Sequence, residues 1–475
     1  MILTQHYLGC LSHASYLVGD ETTGRAVVID PRRDVDIYLE EAKAEGLTVE
    51  RVIETHIHAD FVGGHLELAA RTGAVISYGA GADVDFPVEP LLDGQRLSLG
   101  EVTLEILATP GHTPESICIV VYEHPGDEVP FGVLTGDTLF VGDVGRPDLL
   151  ASGGSDLSAD VLARRLYHSL HDKLLPLPDE TRVFPAHGAG SSCGKHLSNE
   201  TSSTLGEQRR TNYALRPMDE DTFVGVVLED QPVRPQYFEF DAQRNRELHA
   251  LLDNSPPRLL GTDEVLALAE AGAVLVDSRE IADFAAGHLR GAVNIALQGR
   301  FAEWAGDVLS PSRELVLVGD TASALETKVR LARVGLDRVV GQLDAPTAVL
   351  AERPELHETS SRLTVDQLAE VQARGPDDIQ VVDVRNPSET VQGTITGARE
   401  IPLATLTGSL AALDRTAPVV LYCASGSRSH VAASVLREAG FNDVSDLLGG
   451  YAAWEATGLP VTSGPGSGER RPARS

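Results

Sequence analysis

The C-terminal half of the chain repeats itself, and that repeat restricts the fold more than any other feature. "VLVDSREIADFAAGHLRGAVNI" (274–295) aligns with "QVVDVRNPSETVQGTITGAREI" (380–401). The offset from Asp277 to Asp383 equals that from Gly291 to Gly397, 106 residues in each case. A period of this size describes two copies of a compact domain, not a solenoid of short units. Each copy then runs into an apolar strand, "ELVLVG" or "PVVLYC", and an alanine-rich helix. The predicted copies occupy 258–350 and 360–463, joined by "AERPELHETSSR". The glycine-, serine- and arginine-rich end, 464–475, reads as a disordered tail.

Residues 1–250 have a different grammar. "AVVIDP", "RVIETH", "AVISYG", "VTLEILATP", "SICIVVY", "GVLTGD" and "TRVFPAHG" are short apolar runs, several ending in Asp, His or Gly. Reactive side chains at strand ends are where α/β sheets commonly place their sites. Helical patterns interleave at "DVDIYLEEAKAEG" and "HLELAARTG", stopped by Gly46 and Gly73. The Ser-Pro-Pro segment "LLDNSPPRLLG" (251–261) reads as the linker to the repeated half.

The 475 residues carry 70 acidic and 39 basic side chains, a formal charge of −31. That balance argues against nucleic acid or an anionic membrane as a partner. No apolar run reaches the roughly 18–20 residues of a membrane-spanning helix, and "MILTQHYLGC" lacks a secretion signal, so the cytoplasm is the expected compartment. Cys10, Cys118, Cys193 and Cys423 are scattered, without a CxxC, and suggest no disulfide framework. Cys10 and Cys118 sit among apolar strand residues and read as core filler.

The stretch "ETHIHADFVGGH" carries His56, His58, Asp60 and His65 within twelve residues. His56 and His58 alternate at the end of a strand and project to one side. "TPGHTPES" adds His112, "LTGDTLF" adds Asp137, and "FPAHGAG" adds His187. Ligand-type residues at the ends of several strands point to a bound metal. His65 opens a helix and reads as an ordinary, partly buried residue.

The ordered set HxHxD, GHTP, GD and a late histidine resembles the metallo-β-lactamase superfamily, whose members are αββα sandwiches. Hydrolytic members such as glyoxalase II carry HxHxDH, whose Asp-His pair helps to hold a second metal. Here Phe61 stands at the last position. Phenylalanine cannot ligate, which argues against a tightly held dinuclear centre. With one metal, His56, His112 and Asp137 match a two-histidine, one-carboxylate triad, typical of Fe(II) centres that bind dioxygen beside substrate. "THIHADF", "PGHTPES" and "GDTLFVGDVGRPDL" are similar to the persulfide dioxygenases of this superfamily. That resemblance carries the iron ligands, one Fe(II) per chain, onto His56, His112 and Asp137. It makes His58, Asp60 and His187 supporting or substrate-side residues. A zinc site of three histidines and one aspartate is the competing arrangement.

Two more residues join the candidates. Arg146, nine residues after Asp137, is placed to face an anionic substrate, or else is a solvent-exposed loop residue. Cys193 follows His187 by six residues in "HGAGSSCGKH", beside Lys195 and His196, surroundings that can lower a thiol pKa and make a sulfur acceptor; otherwise it packs under the loop.

In the second repeat, "VVLYCASGSRSHVAASVLREAG" puts Cys423 directly after a strand and Arg428 five residues on, at a helix start. It resembles the rhodanese loop, C-x-x-G-x-R-S, and "LLGGYAAWEATGLPV" resembles the same family. Backbone N–H groups and a helix N-terminus facing the sulfur stabilise a thiolate and then a persulfide anion, with Arg428 adding charge. A loop of this length also serves phosphatases; the "GGYAAW" ending and the neighbouring oxygenase-like region favour sulfur. Thr394 departs from the histidine more usual in the family. The first repeat has Gly319 in place of the cysteine, followed by Asp320, so it cannot form a covalent persulfide and reads as a spacer or docking module.

The fold class implied is α/β: a metallo-β-lactamase-like αββα sandwich followed by two rhodanese-like α/β domains with parallel sheets. The expected function is oxidation of a small persulfide, with dioxygen, to sulfite, joined to sulfur transfer among thiosulfate, sulfite and a thiol. A thioester hydrolase with an appended sulfurtransferase is the alternative, and a non-enzymatic sulfur-responsive scaffold a further one. The resemblance allows a homo-oligomer without specifying an interface.

Overall fold

A computed structural model describes residues 1–149, 157–375 and 379–462; the tail expected to be disordered lies outside them. The chain forms two compact units, one comprising 1–253 with 332–335 and the other the remainder.

The first unit is built on two mixed six-stranded sheets. One runs β1 (Ile2–Leu8), β2 (His13–Asp20), β3 (Arg25–Ile29), β4 (Thr48–Ile53), β5 (Val75–Gly79) and β6 (Glu89–Leu91) in spatial order. The other contains β7 (Arg96–Ser98), β8 (Thr103–Ala108), β9 (Ile117–Tyr122), β10 (Gly132–Gly136), β11 (Arg182–Pro185) and β12 (Ser203–Thr204), again in that order. The central strands alternate their side chains between two faces, and both faces are apolar because both are covered. Tyr16, Val18, Val27 and Ile29 meet Leu104, Ile106, Ile119 and Leu134 between the sheets. The alternate residues Leu17, Val28 and Val52 pack outward on Tyr38 and Ala42 of α1 (Asp36–Ala44) and Leu68 of α2 (His65–Thr72). Cys118, Val120 and Val133 do the same on the far side, against Leu166 of α3 (Ala159–His168) and Phe223 and Val227 of α5 (Glu220–Leu228). α4 (Leu205–Thr211) lies between those helices in sequence, and α6 (Tyr237–Arg244) follows them. The result is the αββα sandwich.

The second unit holds the two repeats. In the first, strands 293–294, 274–277, 315–318 and 339–343 form a parallel sheet in that order. In the second, 399–400, 380–383, 419–422, 444–447 and 361–363 repeat the arrangement with a fifth strand. Each copy also repeats one ion pair two residues apart: Arg279 grips Asp277, and Arg385 grips Asp383. The copies pack on each other: Asn294 N donates to Ser434 Oγ (3.0 Å), Phe284 meets His430 edge-on, and Arg313 pairs with Glu438. Among the described residues no helix is long and apolar enough to cross a membrane.

Candidate metal centre and sulfur-transfer loop

Strands β4, β8 and β10 end at one place, and the loops that follow them carry His56, His112 and Asp137. One ligand atom from each lies within 4.8 Å of the others, and all three residues are buried. Asp137 Oδ2 is 3.5 Å from His112 Nε2 and 3.9 Å from His56 Nε2. Each imidazole is turned by a partner at its other nitrogen: His112 Nδ1 faces the Arg146 carbonyl at 2.9 Å, and His56 Nδ1 faces Thr55 Oγ1 at 3.0 Å. A proton held at Nδ1 of His112 leaves its Nε2 lone pair free. Burial and the surrounding imidazoles hold His56 well below the usual histidine range, in the neutral form that can ligate.

His56 Nε2 and both Asp137 oxygens have no hydrogen-bond partner. Buried polar atoms without partners are costly, and their convergence on one point fits a metal ion that would satisfy all of them. Gly145 packs directly on the Asp137 backbone, where a Cβ would lie 1.8 Å from the Asp137 main-chain carbonyl oxygen.

Behind His56 lies a network that the sequence did not announce. His58 Nε2–H faces Asp30 (3.2 Å) and Glu54 (3.1 Å), and Glu54 also meets His65 Nδ1 at 3.0 Å. Burial opposes the charged ring, yet the two carboxylates push His58 well above its ordinary value. Its Nδ1 has no partner. Asp30 also accepts from Thr55 N and Oγ1, which fixes the residue before His56. Asn245 clamps the rest of the loop, donating to the His58 and Phe61 carbonyls and accepting from Gly63 N. Glu115 accepts from Ile57 N at 2.9 Å. His65 is thus fully buried and hydrogen-bonded, not the ordinary partly buried residue expected.

His187 and Asp60 stand on the other side of Asp137. His187 Nε2 lies 3.5 Å from Asp137 Oδ1 and 3.3 Å from Asp60 Oδ2. Cys193 is buried with them. Burial and the Asp60 and Asp137 carboxylates push its thiol well above the ordinary range, the reverse of the lowering expected from Lys195 and His196. The Lys195 ammonium is tied instead to the Val226 and Glu229 carbonyls.

Arg146 also corrects an expectation. It is neither exposed nor free to meet a substrate: its guanidinium grips Asp148 in two bonds and the Ser192 and Pro232 carbonyls with the rest. It orients His112 through its own carbonyl.

A cavity of about 1050 Å³ opens beside this centre, bordered by Ile57, Ala59, Pro114 and Glu115 of the histidine loops and by Phe238 and Arg246.

In the second repeat, Cys423 ends the strand Val419–Tyr422 and is buried. Gly426 N donates to its sulfur at 3.2 Å, and Ser429 Oγ lies 3.6 Å away. Gly426 has φ +105°, the left-handed turn that starts helix Ser427–Glu438 and aims N–H groups at the sulfur. "GGYAAW" braces the loop from behind: Tyr451 N donates to the Cys423 carbonyl at 2.7 Å. Arg428 is held in a two-bond pair with Glu389 (2.7 and 2.6 Å). The first copy adds negative charge here, since Glu303 of helix Phe301–Val308 acts electrostatically on Arg428.

A model of the metallo-beta-lactamase superfamily matches residues 8–187, and a model of the rhodanese-like domain matches 261–344 and again 364–457. The chain belongs to the metallo-β-lactamase superfamily and carries a pair of rhodanese-like domains. It is 31% identical over 239 residues to the mitochondrial persulfide dioxygenase ETHE1 of Homo sapiens, covering 49% of this chain and 82% of that protein. It is 28% identical over 248 residues to a probable hydroxyacylglutathione hydrolase of Schizosaccharomyces pombe, covering 47% of this chain and 90% of that one. A solved metallo-beta-lactamase structure from Staphylococcus aureus superposes with a TM-score of 0.67 at 33% identity, over 72% of this chain and 99% of its own.

Proposed function

We propose that residues 1–250 oxidise a low-molecular-weight persulfide to sulfite, using one Fe(II) held by His56, His112 and Asp137, and that residues 360–463 transfer sulfane sulfur through Cys423. The observation that carries this reading is the triad itself beside Phe61: two imidazoles and one carboxylate with unpartnered atoms converge on one point, while the motif position that would complete a histidine-rich second site is apolar. Such a triad leaves positions open for substrate and dioxygen. The balance is RSSH + O₂ + H₂O → RSH + SO₃²⁻ + 2H⁺, with the outer sulfur oxidised and dioxygen reduced.

Bound iron supplies the redox chemistry and a Lewis-acidic point for the persulfide sulfur. The chain supplies the rest. Asp30 and Thr55 set the position of His56, and Arg146 sets His112, so the ligand geometry is fixed before substrate arrives. The cavity bordered by Ile57 and Pro114, each within two residues of a triad histidine in sequence, is where the thiol carrier binds. In the C-terminal domain the Cys423 thiolate attacks a sulfane sulfur, forming Cys–S–S⁻ and releasing sulfite when thiosulfate is the donor. Gly426 N and Arg428 stabilise that anion. The Cys-less domain, 258–350, acts as a docking and charge-setting module for the active copy.

The test is oxygen uptake by protein loaded anaerobically with Fe(II) and given glutathione persulfide, beside an Asp137→Ala control. Uptake that disappears in the variant supports the reading. Thioester hydrolysis with zinc and no uptake with any small persulfide would establish the hydrolase alternative instead.

A further inference from the structure

Residues 332–335 stand in the sequence of the first repeat, at the end of its helix Thr321–Ala332, yet they belong to the first compact unit. Two arginines hold them there. Arg33, fully buried, donates to the Ala332 carbonyl at 3.1 Å and to Glu67 of α2 at 3.0 Å. Arg333 grips Asp34 in two bonds of 2.9 and 2.8 Å, and its Nη1 donates to Cys10 Sγ at 3.5 Å. Asp34 is fixed in turn by Arg32 Nε at 3.0 Å. Gly335 closes the segment against α6, where a Cβ would lie 2.5 Å from the Phe240 ring.

The backbone pinned in this way reaches the candidate metal centre. The Arg333 carbonyl accepts from Val62 N at 2.8 Å, in the loop that carries His56, His58 and Asp60. Val62 is fully buried, so its N–H has no water to turn to if that carbonyl moves away. On either side of it, Asn245 holds the Phe61 carbonyl and Gly63 N. A carbonyl stays where its own residue is anchored, and the anchor here is the buried Arg333 guanidinium on Asp34. The same guanidinium meets Cys10, in the turn that runs on to Ser12, whose carbonyl orients His187. One residue from the Cys-less copy thus touches two of the segments that shape the centre.

We propose that Arg333 is a positioning residue for the metal-binding histidine loop, and that the Cys-less copy completes the metal unit by supplying it. The inference rests on the reading that His56, His112 and Asp137 hold a cation, and it stands whichever reaction that cation serves. Arg333 meets neither the cation nor the substrate. It holds the middle of the loop through Val62, so that His56 is oriented before the cation arrives. Its charge is matched by Asp34, and what the loop needs from it is shape. The planar guanidinium reaches two carboxylate oxygens and a sulfur together, which a single ammonium cannot do. The copy that lost its cysteine therefore has a task in the other unit, and that task needs no sulfur chemistry.

The test uses the full chain. Amide exchange of the metal-free protein, followed by mass spectrometry, reads the loop peptide 56–64 directly. Arg333→Ala should raise exchange there at least about tenfold while peptides from β9 keep wild-type exchange. Anaerobic titration with Co(II), followed by its visible absorption, reads the cation through the component that His112→Ala removes. Its affinity should fall about tenfold or more, the size expected when a support behind a ligand is lost. Arg333→Lys should recover part of both effects, and it decides the matter if the alanine variant does not fold. Arg313→Ala, which breaks an ion pair within the repeated half, should leave both readouts at wild type. A wild-type protein that takes up no Co(II) defeats the cation reading alone, because exchange still reports the clamp. Wild-type exchange across 56–64 in the folded Arg333 variants overturns the proposal, as does exchange raised evenly over the whole unit, the mark of a general loss of stability.

Discussion

The carboxamide of Asn245 donates to the carbonyl of Phe61 at 2.7 Å across 184 residues of sequence. The same side chain donates to the His58 carbonyl and accepts from Gly63 N, so one residue at the end of α6 holds the whole histidine loop. All three bonds are buried, and Asn245→Ala leaves their backbone partners unsatisfied. At about 1 kcal/mol or more for each lost bond, the cost is about 3 kcal/mol. The first unit should unfold roughly 5–10 °C lower, and its metal content after dialysis should fall. Wild-type melting and full metal retention in the variant would show that the loop holds itself.

Gly450 and Cys423 give a second expectation. A Cβ at Gly450 would lie 2.3 Å from the Cys423 carbonyl, and its φ is +59°. Gly450→Ala must therefore displace the loop or strain a left-handed residue. Thiosulfate:thiol sulfurtransfer should drop by at least roughly tenfold, since the Gly426 N–H must point at the sulfur within a few tenths of an ångström. Oxygen uptake by the first unit should not change. A variant with wild-type sulfurtransfer would mean that the loop is braced elsewhere.

Much of this was legible in the sequence, and the gaps have a common cause. Strand-end His56, His112, Asp137 and His187 are visible because a two-residue strand period and short motifs put them there, and Cys423 because its loop is contiguous. Asp30, Glu54 and Asn245 were missed, although Asp30 lies in the run "AVVIDP". Asp30 and Asn245 act through partners 28 and 187 residues away, which no local pattern encodes, and Glu54 acts through His58 and His65, whose rings turn back to it only once the loop is folded. Helices α5 and α6 were overlooked because only part of each is apolar. Arg146 was misjudged because a loop position says nothing of Asp148, Ser192 and Pro232 closing over it.

Glu389 tests how the sulfur-transfer loop is tuned. Its two bonds to Arg428 hold the guanidinium but also neutralise it beside Cys423. Glu389→Gln removes the negative charge while keeping a hydrogen-bonding shape, so Arg428 offers more net charge to an anionic sulfur donor. KM for thiosulfate should fall severalfold with kcat changed less. Arg428→Lys should do the opposite, because a single ammonium cannot keep the two-bond geometry. Equal KM values in all three proteins would remove charge tuning from the account.

His288 makes the repeated half sensitive to acid. The ring stacks on Phe284 at 3.7 Å, and its Nδ1 faces the Phe284 carbonyl at 2.8 Å. Burial lowers its pKa to about 4, and Arg437, His430 and Arg279 push in the same direction. Glu358 is a facing carboxylate, 3.9 Å away. An unfolded histidine titrates near 6.5, so between about pH 6.5 and 4 the unfolded chain binds the extra proton. The contribution is complete above pH 6.5 and is lost as pH falls toward 4, up to about 3 kcal/mol. Both tryptophans, Trp304 and Trp454, lie in this unit, so urea unfolding followed by tryptophan fluorescence reports on it alone. Wild-type stability should decline from pH 7 to pH 5, and His288→Asn, which keeps a donor toward the Phe284 carbonyl without a titrating ring, should decline distinctly less. Parallel pH profiles for the two proteins would place the acid sensitivity on other groups.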